Sequence, residues 1–313
     1  MAKILVTGGA GFIGSHIAGH ASQQGHDVIV VDNFETGRKE NLDSFLDKVT
    51  FHQLDIRDND AVKNVMNGVE YVFHQAALPS VPRSVEKPLE SNEHNVTGTL
   101  NILTAAKDAG VKRVVYAASS SAYGDQEAKE KSEDLIPKPL SPYGVAKLTG
   151  EYYCKAFYET YGLETVSLRY FNVFGPRQNP FSAYTGVMAI FIPQMLKGQR
   201  PTIFGDGYHT RDFTFIQNNV EANMLAMTAD GAAGEMFNIA CGDSQTILQI
   251  VETINQVLGT NLEPIFADPR PGDIKHSCAA VEKAKRILHY TPSVTFEEGV
   301  ARTIAWYREE LGV

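Results

Sequence analysis

Cysteine is scarce in this chain: Cys154, Cys241 and Cys278 are the only three in 313 residues, and they lie far apart. That spacing offers neither a disulfide framework nor a zinc site, and it fits a reducing compartment. Long apolar runs are missing too, none reaching the roughly 18 residues of a membrane span. Basic charge is in deficit, with 28 Lys and Arg against 37 Asp and Glu and a net charge of -9. A general binder of nucleic acid or anionic membrane is thereby disfavoured, while a local basic pocket for a phosphate stays open. No internal repeat or low-complexity segment is present. The opening MAKILVTGGAG runs straight into a strand and a glycine turn without a signal-peptide pattern, so a cytoplasmic location is expected.

What the chain does have is size and order. At 313 residues it can bury a substantial core, as one large domain or two smaller ones. KILVT (3–7), VIVVD (28–32), VTFHQLD (49–55), YVFHQAA (71–77) and RVVYAAS (113–119) predict buried strands, with helical stretches at 14–24, 58–67 and 95–109 between them. A helix over 143–160 and a strand over 165–171 follow. Strands alternating with helices predict an α/β fold, a doubly wound parallel (Rossmann-type) sheet covered on both faces. Beyond about residue 172 the regularity gives way to NVFGPRQNPFSAYTG, a loop rich in Pro, Gly and Asn of the kind that carries function. A strand–helix unit at 212–227 could rejoin the sheet, and 247–259 and 296–311 read as amphipathic helices. The expected division is a dinucleotide-binding domain over 1–170 plus about 212–242, with a smaller mixed α/β substrate domain over about 171–211 plus 243–313.

Two local patterns carry chemistry. ILVTGGAGFIGSH sets Gly8, Gly9, Gly11 and Gly14 directly after a strand and at the opening of a helix. Glycines there let the backbone approach a pyrophosphate, which the helix N-terminus attracts. The Gly8-x-x-Gly11-x-x-Gly14 spacing is one residue wider at its start than the common dinucleotide fingerprint. Asp32 closes the second strand, in position for ribose hydroxyls; an acid there repels a 2′-phosphate and favours NAD over NADP. The second pattern, SPYGVAKLTG (141–150), sets Tyr143 four residues before Lys147, a spacing that shares one helix face. Ser141 suits the N-cap and Pro142 the first turn. An ammonium beside a phenol stabilises the phenolate and lowers a pKa that is otherwise about 10, giving a base usable near neutral pH. Taken alone, those ten residues read more simply as an amphipathic helix with a chance pair. Ser119, Ser120 and Ser121 follow the fifth strand, at an end that lines the crevice of such sheets. His16 and His20 have a metal-capable i, i+4 spacing, but no glutamate follows His16 and no third ligand is at hand, so no metal site is expected.

Read together, these features resemble the extended short-chain dehydrogenase/reductase superfamily, and within it the NAD-dependent UDP-sugar 4-epimerases related to UDP-galactose 4-epimerase. The resemblance spans nearly the whole chain, through TGGAGFIGSH, VVDNFETG, FHQAALPSVPRSVEKP, AASSSAYGD, SPYGVAKLTGE, RYFNVFGPRQ, IFGDGYHTRDF and RPGD. It implies NAD as cofactor, Tyr143 as proton acceptor, Lys147 lowering its pKa and holding the nicotinamide ribose, and Ser119 bonding the reacting sugar hydroxyl beside Ser120 and Ser121. Carried over by position, Gly8, Gly11, Phe12, Ile13, Gly14, Asp32, Asn33, Asp55, Ile56, Ala76, Ala77, Asn95, Tyr143, Lys147 and Phe171 are the expected NAD contacts. Ser80, Val81, Asn172, Val187, Arg211, Arg270 and Asp273 are expected to meet the UDP-sugar, the arginines at its diphosphate and Asp273 at the uridine ribose.

The implied reaction is reversible inversion at C4 through a transient 4-keto sugar, with NAD regenerated in each turnover. Related dehydratases and decarboxylases carry a carboxylate just after the position of Ser119; Ser120 and Ser121 stand there instead, which sets both reactions aside. A UDP-glucuronate 4-epimerase is the alternative, although Asn172 occupies a position where those enzymes tend to have threonine. A non-catalytic NAD-binding sensor is a second, opposed by the intact Ser119, Tyr143 and Lys147 set. In related epimerases a residue shortly after the Arg-x-Gly-Asp segment walls the hexose pocket, and Ser277 is expected there. His276 and Cys278 are the alternatives on a one-residue slip, since Ala280 stands where these enzymes often have aspartate. A small residue at that wall implies room for a 2-N-acetyl group, hence UDP-GlcNAc and UDP-GalNAc beside UDP-glucose and UDP-galactose. Analogy alone implies a homodimer formed through 92–109 and 143–160, with no nucleic-acid or membrane partner.

Overall fold

A computed structural model describes residues 1–179, 186–269 and 275–312. Its strands are β1 (Lys3–Thr7), β2 (Asp27–Asp32), β3 (Thr50–Gln53), β4 (Tyr71–His74), β5 (Arg113–Ser119), β6 (Glu164–Tyr170), β7 (Asn172–Phe174), β8 (Thr202–Phe204), β9 (Thr210–Phe215), β10 (Glu235–Ile239), β11 (Ser244–Thr246), β12 (Ile265–Ala267) and β13 (His276–Ser277). The α-helices are α1 (Phe12–Gln23), α2 (Asn59–Val65), α3 (Val81–Glu86), α4 (Pro88–Asn92), α5 (Gly98–Asp108), α6 (Pro142–Tyr161), α7 (Val187–Leu196), α8 (Ile216–Thr228), α9 (Ile247–Leu258), α10 (Glu282–Leu288) and α11 (Phe296–Leu311).

Seven strands form one parallel sheet in the order β3-β2-β1-β4-β5-β6-β10. Along β1 and β2, Ile4, Val6, Val28 and Val30 join the core on one face, and Leu5, Ile29 and Val31 join the core on the other. Side chains alternate across a strand, so a sheet covered on both faces demands apolar residues at consecutive positions. The strand order reverses between β1 and β4, where sheets of this build open a crevice at their carboxyl ends. The expected doubly wound fold is therefore present.

Several expectations need correction. The run 49–55 forms only β3, an edge strand whose residues are mostly exposed rather than buried. The run 71–77 ends as a strand at His74, and Gln75–Ala77 belong to the loop above it. The unit at 212–227 does not rejoin the large sheet. Its strand β9 pairs with β7, β11 and β13 in a second sheet, and β10 extends the first. The physical reason is aromatic packing: Phe213 and Phe215 of β9 meet Phe174 of β7, and Phe174 and Phe213 both meet Phe296 of α11, with centroids 5.7–6.1 Å apart.

Two helices matter for the site. Ser141 caps α6 as expected, its Oγ accepting the Gly144 N–H at 3.1 Å, and Gly162 at φ 72° ends the helix. Between α4 and α5 the chain makes a π turn, Glu93–Thr97, where a plain α-helix was expected from residue 95. The wider turn carries Asn95, whose Oδ1 accepts the Leu78 N–H at 2.8 Å while its Nδ2 donates to the Leu78 carbonyl at 3.3 Å. Among the described residues no helix is long and apolar enough to cross a membrane.

Candidate active site

The site is built on the carboxyl edge of the large sheet. After β1 the chain turns through Gly8, which sits at φ +64°, and a Cβ there would come within 2.6 Å of the Ala76 backbone nitrogen. The Gly11 N–H closes the turn on the Gly8 carbonyl at 3.0 Å, and Gly14 packs so tightly on that carbonyl that no side chain fits. Gly11 caps α1 without a side chain, and no acid occupies the first turn, where Phe12 and Ile13 stand. The positive end of a 12-residue helix is thus left to an anion.

Asp32 ends β2 beside this turn. Its carboxylate accepts the N–H groups of Ala10 at 3.0 Å and Phe34 at 2.8 Å. Burial pushes its pKa up, and those N–H groups pull it back. A cavity opens in front of it, lined by Gly8, Asn33, Ile56, Ala76 and Ala77 among others. Asn33 donates to Asp55 at 2.9 Å, and the Arg57 guanidinium, 2.7 Å from Asp55, holds that carboxyl well below the usual range. Glycine turn, helix end, buried acid and apolar-floored cavity fit a dinucleotide without a 2′-phosphate.

The loop after β4 is fixed by a chain of hydrogen bonds that sequence reasoning missed. The Thr99 hydroxyl donates to the Asn95 carbonyl at 2.7 Å, so it must accept from His74 Nε2, 2.9 Å away. His74 Nδ1 is then the acceptor for the Thr7 hydroxyl at 2.7 Å, and Thr7 Oγ1 accepts the Ala76 N–H at 3.2 Å. Every donor points one way, which defines a neutral His74 protonated on Nε2. Burial agrees, lowering its pKa to about 3.

At the end of β5, Ser119 Oγ accepts from the Ser121 N–H at 3.2 Å and from the Ser121 hydroxyl at 2.9 Å, while Ser120 opens the short turn that follows. Helix α6 brings Tyr143 beside Ser119 and carries Lys147 one turn further. Tyr143 keeps part of its surface open, and its N–H donates to Ser84 Oγ at 3.1 Å. Lys147 is only 3% exposed; its Nζ donates to the Ala117 carbonyl at 2.9 Å and lies 5.1 Å from the centre of the Tyr116 ring.

The expected low phenol pKa is not what this geometry gives. Burial pushes Tyr143 up to about 12, opposed by the Ser119 hydroxyl, because the Lys147 ammonium is turned to a β5 carbonyl. Burial also pulls Lys147 down to about 8. One turn beyond, Glu151 and Arg169 form a buried fork at 2.7 and 2.9 Å. An acid at i+4 from Lys147 on a core-facing helix was the available signal for that pair.

On the far side of the crevice Asn172, Val187 and Arg211 line a second cavity with Phe204, His209 and Ile247, none of the last three anticipated. Arg211 Nη1 donates to the Thr210 carbonyl at 2.9 Å, and Asn172 Nδ2 to the Asp212 carbonyl at 3.2 Å. Ser277 pairs with Arg211 across β9 and β13 without lining that cavity. Ser80 caps α3, its Oγ accepting the Arg83 N–H at 3.0 Å, and Val81 beside it is largely exposed. Phe171 packs with Tyr123, Ala240, Ala279 and Val281. Arg270 and Asp273 lie outside the described residues. His16 donates to the Pro176 carbonyl at 3.0 Å, with its pKa lowered to about 4 by burial, and His20 meets Gln24.

The sheet order and the layout of its carboxyl edge are those of the extended short-chain dehydrogenase/reductase enzymes. A profile of the NAD dependent epimerase/dehydratase family matches residues 4–240, and the chain belongs to that family. It is 39% identical over 307 residues to a putative UDP-glucose 4-epimerase of Methanocaldococcus jannaschii, covering 97% of this chain and 98% of the relative. A UDP-glucose 4-epimerase from Thermotoga maritima, solved with UDP-glucose, matches with a TM-score of 0.94 and 39% identity over 99% of both chains. A UDP-N-acetylglucosamine 4-epimerase from Methanobrevibacter ruminantium, solved with UDP-N-acetylmuramic acid, matches with a TM-score of 0.95 and 38% identity, again over 99% of both.

Proposed function

We propose that this chain inverts C4 of UDP-linked hexoses and N-acetylhexosamines, with Ser119, Tyr143 and Lys147 as its reacting set. The observation that supports the proposal is the Tyr143 phenol beside the Ser119 hydroxyl at the end of β5, with Lys147 buried one turn further along α6 against the Ala117 carbonyl and serines at 120 and 121. A 4,6-elimination or a decarboxylation would need a carboxylate there.

The first turn of α1 and Gly8, Gly11 and Gly14 would hold the pyrophosphate of NAD. Asp32 would hold the adenosine ribose, with Asn33, Asp55, Ile56, Ala76, Ala77 and Asn95 around that half, and Lys147 and Phe171 on the nicotinamide side. NAD held there would supply a reversible hydride acceptor at C4, so the net reaction would not be redox. Tyr143 takes the proton of the C4 hydroxyl and gives it back on the return half, held in line by the Ser119 hydroxyl. Lys147, cationic below about pH 8 and held at the Ala117 carbonyl, would bond the nicotinamide ribose and stabilise negative charge on the phenol oxygen only on turning from that carbonyl. Ser80, Val81, Asn172, Val187, Arg211, Arg270 and Asp273 would hold the nucleotide end while the keto sugar turns, and Ser277 would leave room for a 2-N-acetyl group.

The two-part division follows the same reading: residues 1–170 with about 212–242 bind NAD, and about 171–211 with 243–313 bind the UDP-sugar. Pairing of two copies through 92–109 and 143–160 belongs to the same reading, and exposed Val145 and Tyr152 on α6 support it. Assaying UDP-glucose, UDP-galactose, UDP-GlcNAc, UDP-GalNAc and UDP-glucuronate side by side tests the proposal. Turnover of the N-acetylated pair is expected, and turnover of UDP-glucuronate alone would overturn it.

A further inference from the structure

Asp212 is a fully buried acid on β9 that the proposed chemistry does not use. Successive residues of a strand face opposite sides, so its neighbour Arg211 can line the substrate cavity while Asp212 turns inward. There its carboxylate collects three backbone donors from two distant segments. Oδ1 accepts the Cys241 N–H at 3.0 Å, and Oδ2 accepts the N–H groups of Gly242 at 3.0 Å and Ala279 at 3.2 Å. Its own carbonyl accepts from Asn172 at 3.2 Å. Cys241 and Gly242 lie in the loop after β10, and Ala279 follows Ser277 by two residues, just past the point where β13 pairs with Arg211.

Three N–H groups approaching from two sides need a group that only accepts, at both of its ends. A carboxylate meets that need and an amide does not, because one end of an amide is itself a donor. A buried carboxylate is costly to desolvate, and here it is matched to a geometric task, joining two distant segments through their N–H groups. We infer that Asp212 is a positioning residue: it ties Asn172, Arg211 and the Ser277 strand into one rigid wall for the nucleotide sugar. The inference rests on the substrate assignments proposed above.

The groups facing this carboxylate are Asp243 and Cys241 on the loop after β10, Cys278 at the end of β13 and Tyr290 beyond α10, with Glu130 near Cys278 and Arg211 adjacent on β9. Burial raises the Asp212 pKa to about 6, with the three N–H groups opposing. Protonation converts one acceptor oxygen into a donor and loosens the wall. Folded-state stability moves the other way: a carboxyl whose pKa is raised by folding gains stability as pH falls through about 6 toward its unfolded value. A purely structural acid would not separate the two.

The test is calorimetric binding of UDP-glucose, whose diphosphate keeps one charge across pH 5–8, to the NAD-bound enzyme and its D212N variant. At pH 7.5 the variant should bind about 10-fold or more weakly while keeping its fold and its NAD. The wild type should itself weaken as pH drops through about 6, closing the gap to the variant. Equal affinities at pH 7.5 overturn the inference. Should the variant not fold, the wild-type pH series decides alone, and a flat series overturns it. A wild type that binds neither UDP-glucose nor UDP-GlcNAc overturns the substrate assignment instead.

Discussion

Replacing His74 tests the hydrogen-bond chain under the loop after β4. His74→Phe fills a similar volume but offers nothing to Thr7 and Thr99, both buried. The Thr7 hydroxyl loses its acceptor outright, and Thr99 loses a donor while keeping its bond to Asn95. A stranded buried donor costs about 1–3 kcal/mol and an under-satisfied acceptor less, so we expect a loss of about 2–4 kcal/mol at pH 7. Unfolding entropy of roughly 2.1 cal/mol/K per residue makes each kcal/mol worth about 1.5 °C in a chain of this length, a drop in Tm of about 3–6 °C.

Acid supplies a second, independent reading. Folding lowers the His74 pKa from 6.5 to about 3, so below pH 6.5 the unfolded chain takes up a proton that the folded one refuses. Stability is intact above 6.5 and falls as pH drops toward 3, by about 1.4 kcal/mol per unit. His74→Gln can keep an acceptor and a donor in the chain but cannot titrate. Between pH 7 and 4.5 its stability relative to wild type should therefore improve by about 2.7 kcal/mol, with His16 cancelling in the comparison. Urea unfolding at the two pH values measures this. An unchanged Tm for the Phe variant, or a Gln variant that tracks wild type into acid, refutes the assigned tautomer.

The remaining predictions concern the reaction. Tyr143→Phe should keep its fold and its NAD but lose about 10²–10⁴-fold in turnover, and near wild-type epimerisation would remove Tyr143 from the mechanism. Gly37→Ala puts a Cβ 2.7 Å from an Asp32 carboxylate oxygen, so NAD released on denaturation should fall well below one per chain; full occupancy would show that Asp32 does not hold the ribose. Ser277→Tyr should depress UDP-GlcNAc turnover roughly 10-fold or more and spare UDP-glucose, since overpacking costs about 1–3 kcal/mol. Equal loss for both sugars would discard the wall assignment.

What could be read in the sequence was local. The glycine turn, Asp32 at the end of β2, and the cap of α6 by Ser141 each involve residues within a few positions or one recurrent unit. The pairing of β9 was not legible, because its three partner strands are separated by long stretches of chain and aromatic packing on Phe296 helps bring them together. Tyr143 was misjudged electrostatically: i, i+4 spacing fixes which face Lys147 occupies, not that its Nζ turns to Ala117. Asp212 carries no sequence signal at all, since its acceptors serve backbone N–H groups about 29 and 67 residues away.

The π turn at Glu93–Thr97 has a consequence for how this chain tolerates changes of length. It holds one residue more than an α-helical path would, so the helical stretches on either side run out of phase by about 100°. Deleting a single residue there would not break the rod; it would let it relax to a continuous α-helix. The relaxation would swing Pro88–Asn92 about its axis relative to α5, pulling the neighbouring α3 and α4 away from α6 and Asn95 from the Leu78 loop. A one-residue deletion in this turn is thus a rotary change rather than a shortening, and its effect should surface at α6 before it surfaces in the sheet.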